Sequence, residues 1–227
     1  MSIEGRTALL AGATGLVGGH LLTRLLASPE YARVIAVTRK RLAVEHPKLH
    51  QIVTDFDEVE AAVASSGVNV DDAFCALGTT IKIAGSQEKF RRVDFDYVAG
   101  FARAAKAAGA KRFLLVSAMG ASARSTIFYS RVKGEAEDAV SAPGFAALHI
   151  FRPGMLLGAR AQPRPIEVIV GALTPLLNPL MMGGAAVYKS IRGEMVAEAM
   201  VAAALGASEG RNIHTYRSMA ALAKSNS

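Results

Sequence analysis

Little in this chain would hold it together covalently or by aromatic bulk. Cys75 is the only cysteine in 227 residues, so an intrachain disulfide is excluded, and with it the disulfide-scaffold fold classes. A reducing cytoplasm is the compartment that this cysteine usage leads us to expect. Tryptophan is absent and aromatic residues make up 6% of the chain, which leaves the core to Ala, Val and Leu. No clean apolar run approaches the roughly 20 residues of a membrane-spanning helix. The stretch from Val168 to Met182 is short and is broken by Pro175 and Pro179. The amino-terminal region lacks a charged-then-apolar secretory pattern, and no His/Cys/Asp cluster has metal-ligand spacing. We therefore expect a soluble protein without a metal, and no membrane partner.

Apolar residues make up 51% of the chain, enough for the core of one domain spanning 1–227. The formal charge is +7 and the isoelectric point about 9.8, a balance that favours anionic ligands. The basic residues are dispersed, so nucleic acid is not an expected partner. Arg39-Lys40-Arg41 is the one tight basic triplet.

Short β-branched or apolar runs alternate with longer helical patterns, the pattern of a parallel sheet covered by helices on both faces. Strands are predicted at Thr7–Ala11, Val34–Thr38, His50–Thr54, Asp72–Leu77, Arg112–Ser117, Ala147–Phe151 and Arg211–Thr215. Helices are predicted over Leu16–Ala27, Ser86–Ala108, Ile127–Val140, Glu194–Leu205 and Met219–Lys224. The first has apolar residues at 16, 17, 21, 22, 25 and 26, one continuous stripe at helical spacing. The expected fold is thus α/β, a Rossmann-type doubly wound parallel sheet. From about Arg152 the alternation weakens and Pro and Gly accumulate. Residues about 155–227 are accordingly expected to contribute a small substrate-facing cap.

The first predicted strand runs into Gly12-Ala13-Thr14-Gly15-Leu16-Val17-Gly18, and a helix follows at once. In that strand–turn–helix context the spacing describes a phosphate cradle. Gly12 allows the tight turn, Gly15 lets the backbone approach a pyrophosphate, and Gly18 lets the helix pack against the strand. The N–H groups of Leu16 and Val17 then face the anion, with Thr14 beside them. The second strand ends in Arg39 and Lys40, where an NAD-preferring site usually carries an acid that binds the ribose 2′-hydroxyl. A guanidinium there pairs instead with a 2′-phosphate. The expected cofactor is NADP(H), with NAD(H) as the lesser alternative. Asp55 and Phe56 close the third strand, within reach of an adenine edge. Leu77, Gly78 and Thr79 close the fourth, a small-residue turn suited to lie under a ribose.

Tyr129 and Lys133 are one helical turn apart and project from one face. A free phenol titrates near pH 10 and is a poor acid or base at neutral pH; a nearby ammonium stabilises the phenolate. The pair is the expected proton-transfer dyad. Ser117, at the end of the fifth strand, is the expected donor to a substrate carbonyl, and a strand-end serine bonding its own backbone is nearly as good a reading. His149 and Cys75 lie in predicted strands and read as packing.

Together these residues resemble the short-chain dehydrogenase/reductase superfamily in its extended or atypical branch, whose loop has this Gly-x-x-Gly-x-x-Gly form. The segments Cys75–Thr80, Arg92–Val98, Tyr129–Glu135 and Phe151–Leu157 are similar to the Tat-interactive-protein group of oxidoreductase-like proteins. The resemblance implies NADP(H) binding and contact between Pro153, Gly154, Met155 and the nicotinamide. The chain departs from many relatives at Ala118, where a second serine is common, and at Asp94, where asparagine is common. The expected function is hydride transfer to or from a carbonyl or hydroxyl of a small organic substrate. A non-catalytic dinucleotide sensor and, less favoured, a nucleotide-sugar epimerase or dehydratase stay open. Leu157 to Tyr188 are expected to cover the substrate, with Arg160, Arg164 and Lys189 as anion contacts. The apolar run Ile166–Leu180, with Met181 and Met182, has three readings: core, pocket lining, or the interface of a homodimer. Core is favoured.

Overall fold

A computed structural model describes residues 5–157 and 190–225. Seven parallel strands form one sheet: β1 Arg6–Ala11, β2 Tyr31–Thr38, β3 Leu49–Val53, β4 Asp72–Cys75, β5 Arg112–Val116, β6 Ala147–Phe151 and, last in the sheet, Gly210–His214. A separate pair, β7 Leu156–Leu157 and β8 Ile191–Arg192, also runs parallel, so Gly210–His214 is β9. The order across the large sheet is β3-β2-β1-β4-β5-β6-β9. The winding direction reverses between β1 and β4, and the loops leaving the carboxyl ends of those two strands flank the crevice where such sheets bind ligands.

The period of two along each strand divides the core into two layers. Ala8 and Leu10 of β1, Val34 and Ala36 of β2, and Leu114 and Val116 of β5 face the helices Leu16–Ala27, Gly193–Leu205 and Tyr216–Ser225. Leu9 and Ala11, Ile35 and Val37, and Phe113 and Leu115 face the helices Val59–Ser65, Tyr97–Ala107 and Phe128–Ser141. Burying both faces explains why these strands read as nearly unbroken apolar runs. Leu21 and Leu25 of the first helix are fully buried, and each contributes about 1.5–3 kcal/mol by leaving water.

The predicted strands and helices lie within a few residues of those observed, with one change in kind. The helix expected over Ser86–Ala108 is built as Gln87–Arg91, a π-helical turn over Arg92–Asp96, and Tyr97–Ala107. Asp94, inside that wide turn, is completely buried. The short helices Val59–Ser65 and Ile81–Ala84 had no counterpart in the sequence reading.

The expectation of a cap over 155–227 requires correction. Gly193–Leu205 and β9 belong to the sheet and its covering layer, because Val196, Ala197, Met200 and Ala204 complete the core over the first helix. Leu157 through Lys189, except for Leu157 itself, lie outside the described residues, and so do Arg160, Arg164 and the run Ile166–Leu180 with Met181 and Met182.

At the amino edge of the sheet, Asp72 is buried and accepts a hydrogen bond from Tyr31 Oη at 2.8 Å, with Arg112 Nε also 2.8 Å away. Burial pushes both Asp72 and Tyr31 above their ordinary pKa values. This cluster locks β2, β4 and β5 at the end opposite the crevice.

Candidate active site

The loop after β1 is shaped by contacts that only glycine permits. Gly12 has φ +88°, and a Cβ there would lie 2.5 Å from the carbonyl oxygen of Ala76 at the end of β4. A Cβ on Gly18 would lie 1.9 Å from the carbonyl oxygen of Gly12. The turn is closed by the Gly15 N–H donating to Gly12 O at 2.9 Å. The helix then starts with no side-chain cap and no acidic residue in its first turn, so its N–H groups are left for an anion. Thr14 and Gly15 are exposed, whereas Leu16 and Val17 bury their side chains and offer the ligand their backbone alone. A close-approach loop with uncapped N–H groups fits a dinucleotide pyrophosphate.

Arg39 and Lys40 leave β2 exposed, with no hydrogen-bond or ion-pair partner among the described residues. The chain beyond them is held by Gln51 of β3, whose amide accepts from Leu42 N–H at 2.8 Å and donates to Leu42 O at 3.3 Å. Asp55 is exposed and caps the 3-10 turn Phe56–Glu58. Phe56 stacks on Tyr97, with ring centroids 5.5 Å apart, and is buried. Only its main chain is available to a cofactor. Beside them, Leu77 packs into the core face, and a Cβ on Gly78 would sit 3.4 Å from Asp94 Oδ1 and 3.5 Å from Lys133 Nζ.

The expected dyad lies on the helix Phe128–Ser141. Tyr129 is half-buried, its ring 5.5 Å from that of Phe90. Lys133 is buried, with Nζ 2.7 Å from Asp94 Oδ1 in an ion pair. Asp94 Oδ2 accepts the Thr79 N–H at 2.9 Å. Burial is the largest influence on Lys133 and opposes its charge. Asp94 and then Tyr129 favour the charge and prevail, so the pKa lies above the ordinary lysine value. A cation is thus fixed close to a half-buried phenol.

Ser117 differs from expectation. Its hydroxyl donates to Glu137 Oε1 at 2.5 Å inside the protein, and a serine has one proton to give. Ser117 therefore does not stand as a free donor for a substrate carbonyl. Glu137 and Arg152 escaped the sequence reading. Arg152 Nε lies 2.9 Å from Glu137 Oε1 and Nη2 lies 2.5 Å from Oε2, a two-pronged pair. The available signal was spacing, since Glu137 continues the helical face of Tyr129 and Lys133. Pro153 is buried and its carbonyl accepts the Met119 N–H at 3.0 Å; Gly154 is half-buried and Met155 is 41% exposed. His149 is buried, its Nδ1 3.0 Å from His214 Nε2. Burial pushes the Cys75 thiol up to about 12.

The fold and the loop after β1 define a dinucleotide-binding α/β protein. An NAD(P)H-binding family model matches residues 12–205. The chain belongs to that family and, within the short-chain dehydrogenase/reductase superfamily, to the atypical branch that holds the Tat-interactive-protein-like members. It is 37% identical over 210 residues to the mitochondrial protein fmp52 of Emericella nidulans, covering 88% of each chain. It is 39% identical over 169 residues to HTATIP2 of Rattus norvegicus, covering 73% of this chain and 69% of that one. Among solved structures it shares the fold of UDP-glucose 4-epimerase from Thermotoga maritima, with a TM-score of 0.69 at 15% identity over 96% of this chain and 82% of that one. Bordetella bronchiseptica WbmH, in complex with NAD+, gives 0.68 at 16% identity over 93% and 75%. The names of the fungal relatives place those proteins in mitochondria, which overturns the cytoplasmic expectation. A single cysteine excludes an internal disulfide; it does not select among reducing compartments.

Proposed function

We propose that this protein is an NADP(H)-dependent oxidoreductase acting on a carbonyl or hydroxyl of a small organic substrate. The observation that carries the reading is Lys133, buried and held as a cation on the same helical face as the half-buried Tyr129. The dinucleotide, when bound, supplies or takes the hydride. The cradle at Gly12, Gly15 and Gly18 holds its pyrophosphate, and Arg39 with Lys40 recognises the 2′-phosphate. Asp55, Phe56, Leu77, Gly78 and Thr79 line the adenosine side, and Pro153, Gly154 and Met155 the nicotinamide side. Tyr129 Oη exchanges a proton with the substrate oxygen, and the Lys133 ammonium stabilises the phenolate that remains when the proton has left.

Ile81, Ile83, Ile127 and Met155 are large apolar side chains left exposed on segments that follow β4, β5 and β6. They favour a carbonyl compound with an apolar body over a nucleotide sugar. One observation favours a second reading: Ser117 is engaged by Glu137, and Ala118 has no hydroxyl, which suits a dinucleotide sensor without turnover.

The deciding experiment follows NADPH oxidation against aldehydes, ketones and quinones. Turnover by the wild type, reduced about 100- to 10,000-fold in Tyr129→Phe with cofactor affinity kept, is the expected result. Binding without turnover in either protein would establish the sensor instead.

A further inference from the structure

We infer that Glu137 is a positioning residue that sets the separation between the Tyr129 helix and the Pro153–Met155 turn. The inference rests on the oxidoreductase reading above. Tyr129, Lys133 and Glu137 follow one another at single-turn intervals along one face of the helix Phe128–Ser141. The first two address the proton transfer. The third is 1% exposed, too deep to reach a ligand, and its carboxylate gathers side chains from three neighbouring strands or the residues that follow them.

Each arm reaches a different strand. Ser117, the residue after β5, donates to Oε1 at 2.5 Å. Arg152, the residue after β6, closes on both oxygens at 2.9 Å and 2.5 Å. Arg211 of β9 brings Nη2 to 3.6 Å from Oε2. A buried carboxylate needs this many donors to offset its lost hydration, and the donors are thereby fixed relative to the helix. Arg152 gains in turn, because its bond to Glu137 is the main reason its pKa lies above the ordinary arginine value.

The consequence follows from chain connectivity. Arg152 is bonded directly to Pro153, whose carbonyl also holds the Met119 N–H at 3.0 Å, while the Arg152 N–H donates to His214 O at 2.8 Å. The turn therefore hangs from a residue locked to Glu137, and Tyr129 stands two turns along the same rigid helix. The distance over which hydride and proton must be coordinated is spanned by one helix and one two-pronged ion pair. Reactions that depend on such alignment lose up to about 100-fold for a displacement near 1 Å.

The test compares Glu137→Asp, Arg152→Lys, Ser117→Ala and Tyr129→Phe with the wild type. Four quantities are measured: melting temperature, NADPH affinity, emission yield of the bound nicotinamide, and single-turnover hydride transfer. Glu137→Asp keeps the charge but retracts it, and Arg152→Lys keeps the charge but loses the fork. Both should retain NADPH affinity within about twofold, since the cradle and Arg39 lie at the other end of the cofactor. Both should change the nicotinamide emission and slow hydride transfer at least about tenfold. Ser117→Ala, which removes one arm of several, should change the rate by less than either. Wild-type emission and rate in the folded Asp and Lys variants would overturn the inference, as would losses that scale only with melting temperature. Unimpaired turnover in Tyr129→Phe would instead overturn the oxidoreductase mechanism, and an emission change in Glu137→Asp would still report the positioning.

Discussion

Lys133 Nζ and Asp94 Oδ1 face each other across 2.7 Å, the Asp94 side chain fully buried and that of Lys133 7% exposed. The contact joins the π-helical turn Arg92–Asp96 to the helix bearing Tyr129, and through Thr79 N–H it also ties in the loop that follows β4. Removing the acid while leaving the buried cation should be costly. Asp94→Ala is expected to lower unfolding stability by about 3–5 kcal/mol in urea titrations, as for other broken buried pairs. Asp94→Asn should also be destabilising, because its single amide oxygen can accept from Lys133 or from Thr79 but not from both. The folded-state pKa of Lys133 lies above the ordinary 10.5. Its stabilisation is therefore complete below that value and is lost as pH rises through the folded-state one. A wild-type alkaline stability profile that Asp94→Asn reproduces would show that the pair contributes nothing.

Cofactor choice is addressed at Arg39. Replacing it by alanine should weaken NADPH by about 1.5–3 kcal/mol, the scale of hydrogen bonds to a charged group, and leave NADH almost unchanged. Calorimetry with both coenzymes measures this directly. Equal losses for the two would remove the preference for the phosphorylated form.

Adjacent glycines in the first helix should behave in opposite ways. A Cβ at Gly18 would meet Gly12 O at 1.9 Å, whereas at Gly19 the nearest such neighbour is Ala13 O at 3.7 Å. Gly18→Ala should destabilise the protein by about 1–3 kcal/mol through forced displacement of the loop and weaken dinucleotide binding. Gly19→Ala should stabilise by about 0.4–1 kcal/mol, since it restricts the unfolded chain without a clash. Thermal melts of the two variants supply the comparison, and similar effects of both would contradict the packing described.

Acid sensitivity should trace to β6. Burial, with His214 and then Arg112 adding to it, holds His149 down to about 4 from an ordinary value of 6.5. Between those values the unfolded chain binds the proton and the folded one does not, so stability falls as pH drops from 6.5 towards 4. His149→Leu should flatten this part of the stability–pH curve, read from urea midpoints. An unchanged slope would place the acid response elsewhere.

The strands and the cradle were legible because their causes are local. β6 was read at its observed bounds, Ala147–Phe151, because an apolar run buried on both faces has little freedom in its ends. Leu16–Ala27 is likewise legible at its observed bounds, from its apolar stripe and from Pro29 just past its end. The π-helical turn was not legible: Arg92–Asp96 keeps helical spacing, and what distinguishes it is Asp94, buried against a lysine far along the chain. The position of Ser117 directly after β5 is legible, but its partner is not, because its bond runs to Glu137 on the next helix. The sequence marks Gly193–Leu205 as a helix but not which surface it covers, since an Ala-rich apolar helix looks the same over a substrate as over a core.

Residue order was enough to establish a wound parallel sheet, a glycine turn open to an anion, and a phenol one helical turn from an amine. Periodicity and backbone sterics act over a few residues, and a linear string records them. The neutralising partner of Lys133, the carboxylate that accepts the Ser117 hydrogen bond, and the joining of Ser117, Arg152 and Arg211 through Glu137 were settled by folding. Those are pairings of charges and hydrogen bonds between distant segments, and burial makes each of them obligatory once packing has brought the groups together.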